Sequence, residues 1–310
     1  MATFLLPVLA LVPGFQTTGD ATPTALEGTL AVHTSKTSGS PDGTTGEFGT
    51  ELTDVLVAGA GTIGPFDFEI AVELGTATGS VLDRAWVRTG LDDRHDLRLG
   101  RIRVPFVWSG FADEQSFVFP DRSRIGREFG GSDEGVELIG DQGIVDYRVA
   151  LTNAGDGTGD ARGGVARVGL HLVGERIVPG ERPLGPDGVA AYLAYRDDGS
   201  VDQGDAFAAE LHVQSGDFRV LGEFVDAAAG IGDQQGYTAT VAMALAEGET
   251  EVALRLGRLA EPVSRTFVGL AYSQSFLREG VRGQLAVERV ESSDPDQDGW
   301  VFSAGVVVAL

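Results

Sequence analysis

Cysteine is absent, lysine is reduced to a single residue, Lys36, and no uncharged apolar stretch reaches the ~20 residues that a membrane-spanning helix requires. The first absence removes disulfides, thiolate catalysis and cysteine-type zinc sites together. The second, joined to a formal net charge of -23, removes the electrostatic basis for a nucleic-acid partner. The third excludes a bundle of transmembrane helices. The histidines His33, His95, His171 and His212 are scattered without metal-ligand spacing. Asp294 to Gly299 opens like a calcium loop, but its twelfth position is Gly305 where a bidentate Glu is needed, so it reads as a solvated turn. Neither a metal nor any other cofactor is expected.

Residues 3–15 form an apolar run followed by small and polar residues to Ala25. That is the layout of a secretory h-region and cleavage zone, and it predicts a signal peptide over 1–21 with cleavage after Ala21. From 22 to 310 the chain reads as one domain in which hydrophobicity alternates with period two. In Phe66-Asp67-Phe68-Glu69-Ile70-Ala71-Val72-Glu73-Leu74 one parity is wholly apolar and the other carries three carboxylates. A strand separates those residues onto two faces, whereas a helix mixes them.

Such strands fit a soluble sandwich as well as a barrel, so the connections decide. Sixteen candidate strands follow one another, with fourteen as the alternative count. Ala60 to Gly64, Gly90 to Arg94, Gly140 to Gln142 and Ser215-Gly216 read as tight turns. Lys36 to Thr50, Asn153 to Asp160, Asp197 to Gly204 and Glu291 to Asp298 read as long acidic loops alternating with them. Short turns on one rim and long loops on the other predict an all-β, transmembrane antiparallel barrel of the bacterial outer membrane, with lipid as its outer partner. The short Thr76 to Ser80 loop and the long Gly174 to Pro186 turn break the alternation. The third long connection, Val107 to Ser132, carries Phe117, Phe119, Ile125 and Phe129, too apolar to stand in solvent, and is expected to fold into the lumen.

The segment 84–153 is the most distinctive. Leu97-Arg98-Leu99-Gly100-Arg101-Ile102-Arg103-Val104-Pro105-Phe106 precedes the long loop with Phe119-Pro120-Asp121-Arg122-Ser123, then Gly135-Val136-Glu137-Leu138 and Tyr147 to Asn153. This quarter of the chain resembles the phosphate-selective porin O and P family, where a Gly-x-Phe-Lys-Val-Pro-Phe-like strand end precedes the third loop. The resemblance implies a sixteen-stranded, homotrimeric channel for small anions, with Arg103 in the place of the family's lysine.

Nine of the 22 arginines fall between Arg84 and Arg127, against six carboxylates, so this window is positive in a negative chain. A guanidinium stays charged and presents a planar fork that matches phosphate oxygens. With Ile102, Val104 and Phe106 assigned to the lipid face, Arg101 and Arg103 are predicted to point into the lumen, as are Arg148, Arg167, Arg219 and Arg255 on their own strands. Arg101, Arg103, Arg122, Arg124, Arg127 and Arg148 are the expected ion-contacting set. Should the loop trio Arg122, Arg124 and Arg127 pair with Asp121, Glu128, Asp133 and Glu134, it would brace the wall instead, leaving a non-selective or structural barrel. An outer-membrane hydrolase is the enzymatic alternative, against which no Ser stands in a Gly-x-Ser-x-Gly context. The reading is therefore a channel and not an enzyme.

Overall fold

Residues 26–38, 51–75, 79–153, 162–183, 185–197, 204–229, 232–245, 249–260, 264–276, 280–293 and 298–309 are described in a computed structural model of the chain. The expected signal peptide over 1–21 lies outside them. Every described strand pairs antiparallel with its sequence neighbour, and β1 (Leu26–Ser38) closes on β16 (Gly299–Ala309) over a register running from Thr29–Ala309 to Ser38–Trp300. The result is a closed barrel of sixteen strands, which rules out fourteen. Closure matters physically because it leaves no strand edge whose N–H and C=O groups would meet hydrocarbon unpaired.

Alternation sets the two surfaces. In β3 (Phe66–Gly75), Phe66 and Leu74 are exposed on the outside, while inside Asp67 bonds Arg88 at 2.6 Å and Glu69 bonds Arg84 at 2.6 Å. Leu193, Leu211, Val241, Leu254 and Leu270 make an exposed apolar band, and Trp300, Phe302 and Val306 continue it onto β16. Towards the long-loop rim, Tyr195 stands opposite Phe207 and Tyr237 opposite Phe224, all four exposed; Phe218 and Phe276 flank the short turns. A leucine and valine band between aromatic belts is the surface that a bilayer demands of a barrel.

The hairpins are held by turn chemistry. Ser215 pairs with Phe218 across a two-residue turn whose Gly216 sits at φ 55°, the conformation that the favoured hairpin turns require at this position and that glycine adopts without cost.

One facing assignment is corrected. In β5 (His95–Arg103), Arg98 lies opposite the buried Glu137, so Arg98, Gly100 and Ile102 share the lumen parity and the exposed Leu99 shares the outer one with Arg101. Ile102 is fully buried, and Val104 and Phe106 pack inside the barrel against Ala206, Ala208 and Val225. They do not face lipid. Gly100, at φ 128°, fits so closely that a Cβ would lie 2.3 Å from the Ala85 carbonyl oxygen, and beyond it the chain enters the barrel. The expectation failed because it assumed a wet interior, whereas here the loop builds a second apolar core within the lumen.

Candidate pore constriction

The loop between β5 and β6 (Ser132–Asp141) folds as a helical turn, Trp108–Phe111, a 3-10 turn, Glu114–Ser116, and a short helix, Arg124–Phe129, whose cap Ser123 accepts from the Gly126 N–H at 3.0 Å. It crosses the lumen to the far wall, as expected. The wall that receives it runs from β9 (Gly188–Asp197) to β14 (Arg265–Phe276) and is lined inside largely by alanines: Phe119 and Val118 pack on Ala242, Ala253 and Ala271, while Trp108 and Phe117 pack on the larger Leu221. Small inward side chains leave the space that the loop fills.

Polar groups complete the docking. Glu210 on β10 (Asp205–Ser215) and Glu223 on β11 (Phe218–Ala229), directly opposite each other, accept the Trp108 and Ser109 N–H groups at 3.0 and 2.8 Å. Arg282 and Gln284 of β15 (Val281–Ser292) donate to the Gln115 and Phe117 carbonyls at 2.9 Å each. Loop backbone without secondary structure needs such partners when it leaves water.

The long Gly174 to Pro186 turn also enters the lumen, from the opposite rim. Its Glu181, 1% exposed, accepts from Arg255 at 2.6 Å and from the Val118 N–H at 3.2 Å, while its own N–H donates to the Ser116 carbonyl. Arg219 donates to the Gly180 and Val178 carbonyls. The irregular turn thus holds the loop from beneath, a role that its length alone did not disclose.

Across from the docked loop stands a different wall. Arg84 and Arg88 on β4 (Gly79–Asp92), Arg98 on β5, Arg148 on β7 (Val145–Thr152) and Arg167 on β8 (Gly163–Gly174) face the interior in neighbouring strands. A bulge between β3 and β4 places Asp83 outside the regular register, where it bonds Arg84 at 3.0 Å and Arg103 at 2.8 Å. Bulges redirect side chains in this way.

Two cavities flank the loop. One, about 410 Å³, is lined by Arg101, Arg103, Arg122, Arg127, Asp83 and Glu114 among others; the second, about 480 Å³, by Arg84, Arg98, Arg148, Arg167, Trp86 and Phe111 among others. Arg103 lines both and marks where they meet. Its guanidinium bonds Asp83, Glu114 at 2.8 Å and the Ala112 carbonyl at 2.6 Å, and Glu114 in turn holds Arg122 at 2.6 Å. Burial pushes the Glu114 carboxyl up, but Arg103, Arg122 and Arg84 outweigh it and hold it well below the usual carboxylate range.

The six expected arginines therefore divide. Arg103, Arg122 and Arg127 gather at the first cavity and Arg148 at the second; Arg101, expected to point into the lumen, stands instead on the outer parity of β5 and touches the first cavity only from its edge, and Arg124 reaches β15, pairing with Glu288 at 2.8 Å as a docking contact. Arg101, half-exposed, pairs with Glu134 at 2.7 Å. Arg167, Arg219 and Arg255 are buried inside, as their parity predicted. Arg84, Arg88 and Arg98 lie outside the expected set, although the apolar parity of Ala85 and Val87 marks the first two as inward. Asp83 and Glu114 carried no signal in sequence. Among the described residues no cluster of three or more His, Asp or Glu side chains could hold a metal, and no helix is long and apolar enough to cross a membrane.

A closed sixteen-stranded barrel with an in-folded third loop is the fold of the outer-membrane porins. The chain is similar in structure to OmpT from Vibrio cholerae in its trimer form (TM-score 0.64, 10% identity, 92% of this chain and 98% of that one), to a mutant of the Rh. blastica porin (0.62, 14%, 92% and 99%) and to Pseudomonas putida OprB at high pH (0.61, 10%, 92% and 93%). No protein-family model and no curated protein matches the sequence.

Proposed function

We propose that the chain is a porin of the bacterial outer membrane, a water-filled channel through which small solutes diffuse passively, with a preference for anions such as phosphate. The barrel carries a lipid-type outer surface, and solved barrels of the same fold include outer-membrane proteins. The observation that carries the anion preference is Arg103, held by four hydrogen bonds at the junction of two cavities, with the loop guanidiniums on one side and the arginine wall on the other. In a narrow, partly desolvated passage a fixed guanidinium acts at a lower effective dielectric than rim carboxylates do, so local charge outweighs the net charge of -23. A homotrimer is part of the same reading, supported by the family resemblance and by the trimer form named for the Vibrio cholerae protein.

The pairing of Arg103 and Arg122 with Asp83 and Glu114 favours a second reading, a non-selective barrel in which the arginines brace the loop. Reversal potentials in a potassium chloride gradient separate the two. Wild type is expected to prefer chloride, and Arg103→Glu to reduce or reverse that preference, while Asp298→Asn at the rim changes it little. A cation-selective wild type whose reversal potential is unmoved by Arg103→Glu would establish the bracing role instead.

A further inference from the structure

The larger cavity combines two features that a conduit for inorganic ions does not need together. Arg98 and Arg148 share a single carboxylate, Glu137, at 2.8 and 3.2 Å, and that carboxylate is fully buried behind them. Two guanidiniums on one carboxylate leave one positive charge unbalanced at this point of the wall. Both are stacked: the Arg98 guanidinium lies 4.4 Å from the Trp86 ring centroid and that of Arg148 5.0 Å from Phe111, which Arg167 also approaches at 5.2 Å. Arg98 Nε is buried without a hydrogen-bond partner, and the Arg148 side chain retains 29% of its exposure.

We infer that this cavity is a binding chamber for aromatic carboxylates, planar ring acids taken up in transit through the channel. At about 480 Å³ it falls within the roughly 300–1,000 Å³ of small-molecule sites. The carboxylate of such a ligand takes the guanidinium edges of Arg98 and Arg148 and balances the charge that Glu137 leaves. Its ring extends the existing stacks, because guanidinium planes and indole or phenyl faces accept another π-system. A simple inorganic anion would use the edges and leave the faces idle. A sugar acid would need free ring faces for its C–H groups, whereas Trp86 already carries one guanidinium and Phe111 two, so a planar ring has guanidinium planes to stack on.

The inference rests on the anion reading above, and the experiment keeps the two apart. Chloride current through single channels is recorded while benzoate, cyclohexanecarboxylate or glucuronate is added at neutral pH. Benzoate is expected to block at a concentration about tenfold lower than cyclohexanecarboxylate, the difference worth one stacked contact in a partly dry site. Phe111→Leu, which keeps the apolar volume and removes the π-face, should erase most of that difference; Trp86→Leu gives the same readout where the first variant does not form channels. Equal block by benzoate and cyclohexanecarboxylate, or stronger block by glucuronate, would overturn the chamber while leaving chloride preference intact. Selective benzoate block in a wild type without chloride preference would uphold the chamber and remove the anion reading.

Discussion

The two halves of the barrel wall solve opposite problems with the same strand geometry. From β9 to β14 the inward positions are small, Ala190, Ala194, Ala206, Ala208, Ala242, Ala253 and Ala271, and the polar groups among them are spent on the loop and the inserted turn. From β4 to β8 the inward positions are long and cationic, and carboxylates of the same and the adjoining strand hold most of them, Glu69 for Arg84, Asp67 for Arg88 and Glu137 for Arg98, whereas Arg167 on β8 reaches across to Glu210 of the other half at 2.6 Å. One half is a socket and the other is the face of a passage. The lesson is that lumen polarity in a barrel depends on what occupies the lumen: beside the loop, apolar side chains are buried as in a soluble core, and away from it charged ones line a cavity, some buried in their ion pairs, as Arg84, Arg167 and Glu137 are, and others partly open to water, as Arg88 is.

The socket can be broken directly. Glu181→Ala removes the carboxylate from Arg255, whose side chain is 2% exposed, and leaves the Val118 N–H without its partner. A buried charge so orphaned costs about 3–5 kcal/mol. Folding titrations from lipid vesicles should show that loss, and single-channel recordings should show larger, noisier conductance as the loop undocks. A conductance equal to wild type would mean that the turn does not hold the loop.

The outer surface tests the same comparison from outside. Ile70 and Glu69 are neighbours on opposite faces of β3, and Glu69 is accommodated inside by Arg84. Ile70→Arg places a charge on the lipid side and should cost about 2–4 kcal/mol near the bilayer midplane. Unchanged stability in the same titrations would reverse the assignment of faces.

The smallest effect belongs to the arginine wall. Arg88 pairs with Asp67 with 36% exposure on both side chains, so Arg88→Gln should change stability by less than about 1 kcal/mol. Urea unfolding in detergent measures it, and a loss as large as that of Glu181→Ala would make the arginine wall structural like the socket.

Much of the architecture was legible in the residues. Phe66 to Leu74 declared its two faces by parity, and the sixteen strands appeared where alternation and turn chemistry placed them, because a strand's side-chain period and a turn's φ requirement are local properties. The aromatics of the third loop also announced its burial, since Phe117, Phe119 and Phe129 have no favourable place in solvent.

The sequence by itself therefore determined the alternation, the burial of the third loop's aromatics and the concentration of arginine between Arg84 and Arg127, while closure of the barrel chose sixteen strands over fourteen. Only the tertiary structure decided which parity of β5 faces inward, that Arg124 turns to β15, and that Glu181 from the opposite rim joins Arg255 at 2.6 Å. It also decided that, among the described residues, Arg103 alone lines both cavities. The physical reason is that parity divides residues into two sets without saying which set is inside, and ion pairs form between groups that closure of the barrel brings together across more than seventy residues of chain, as with Glu181 and Arg255.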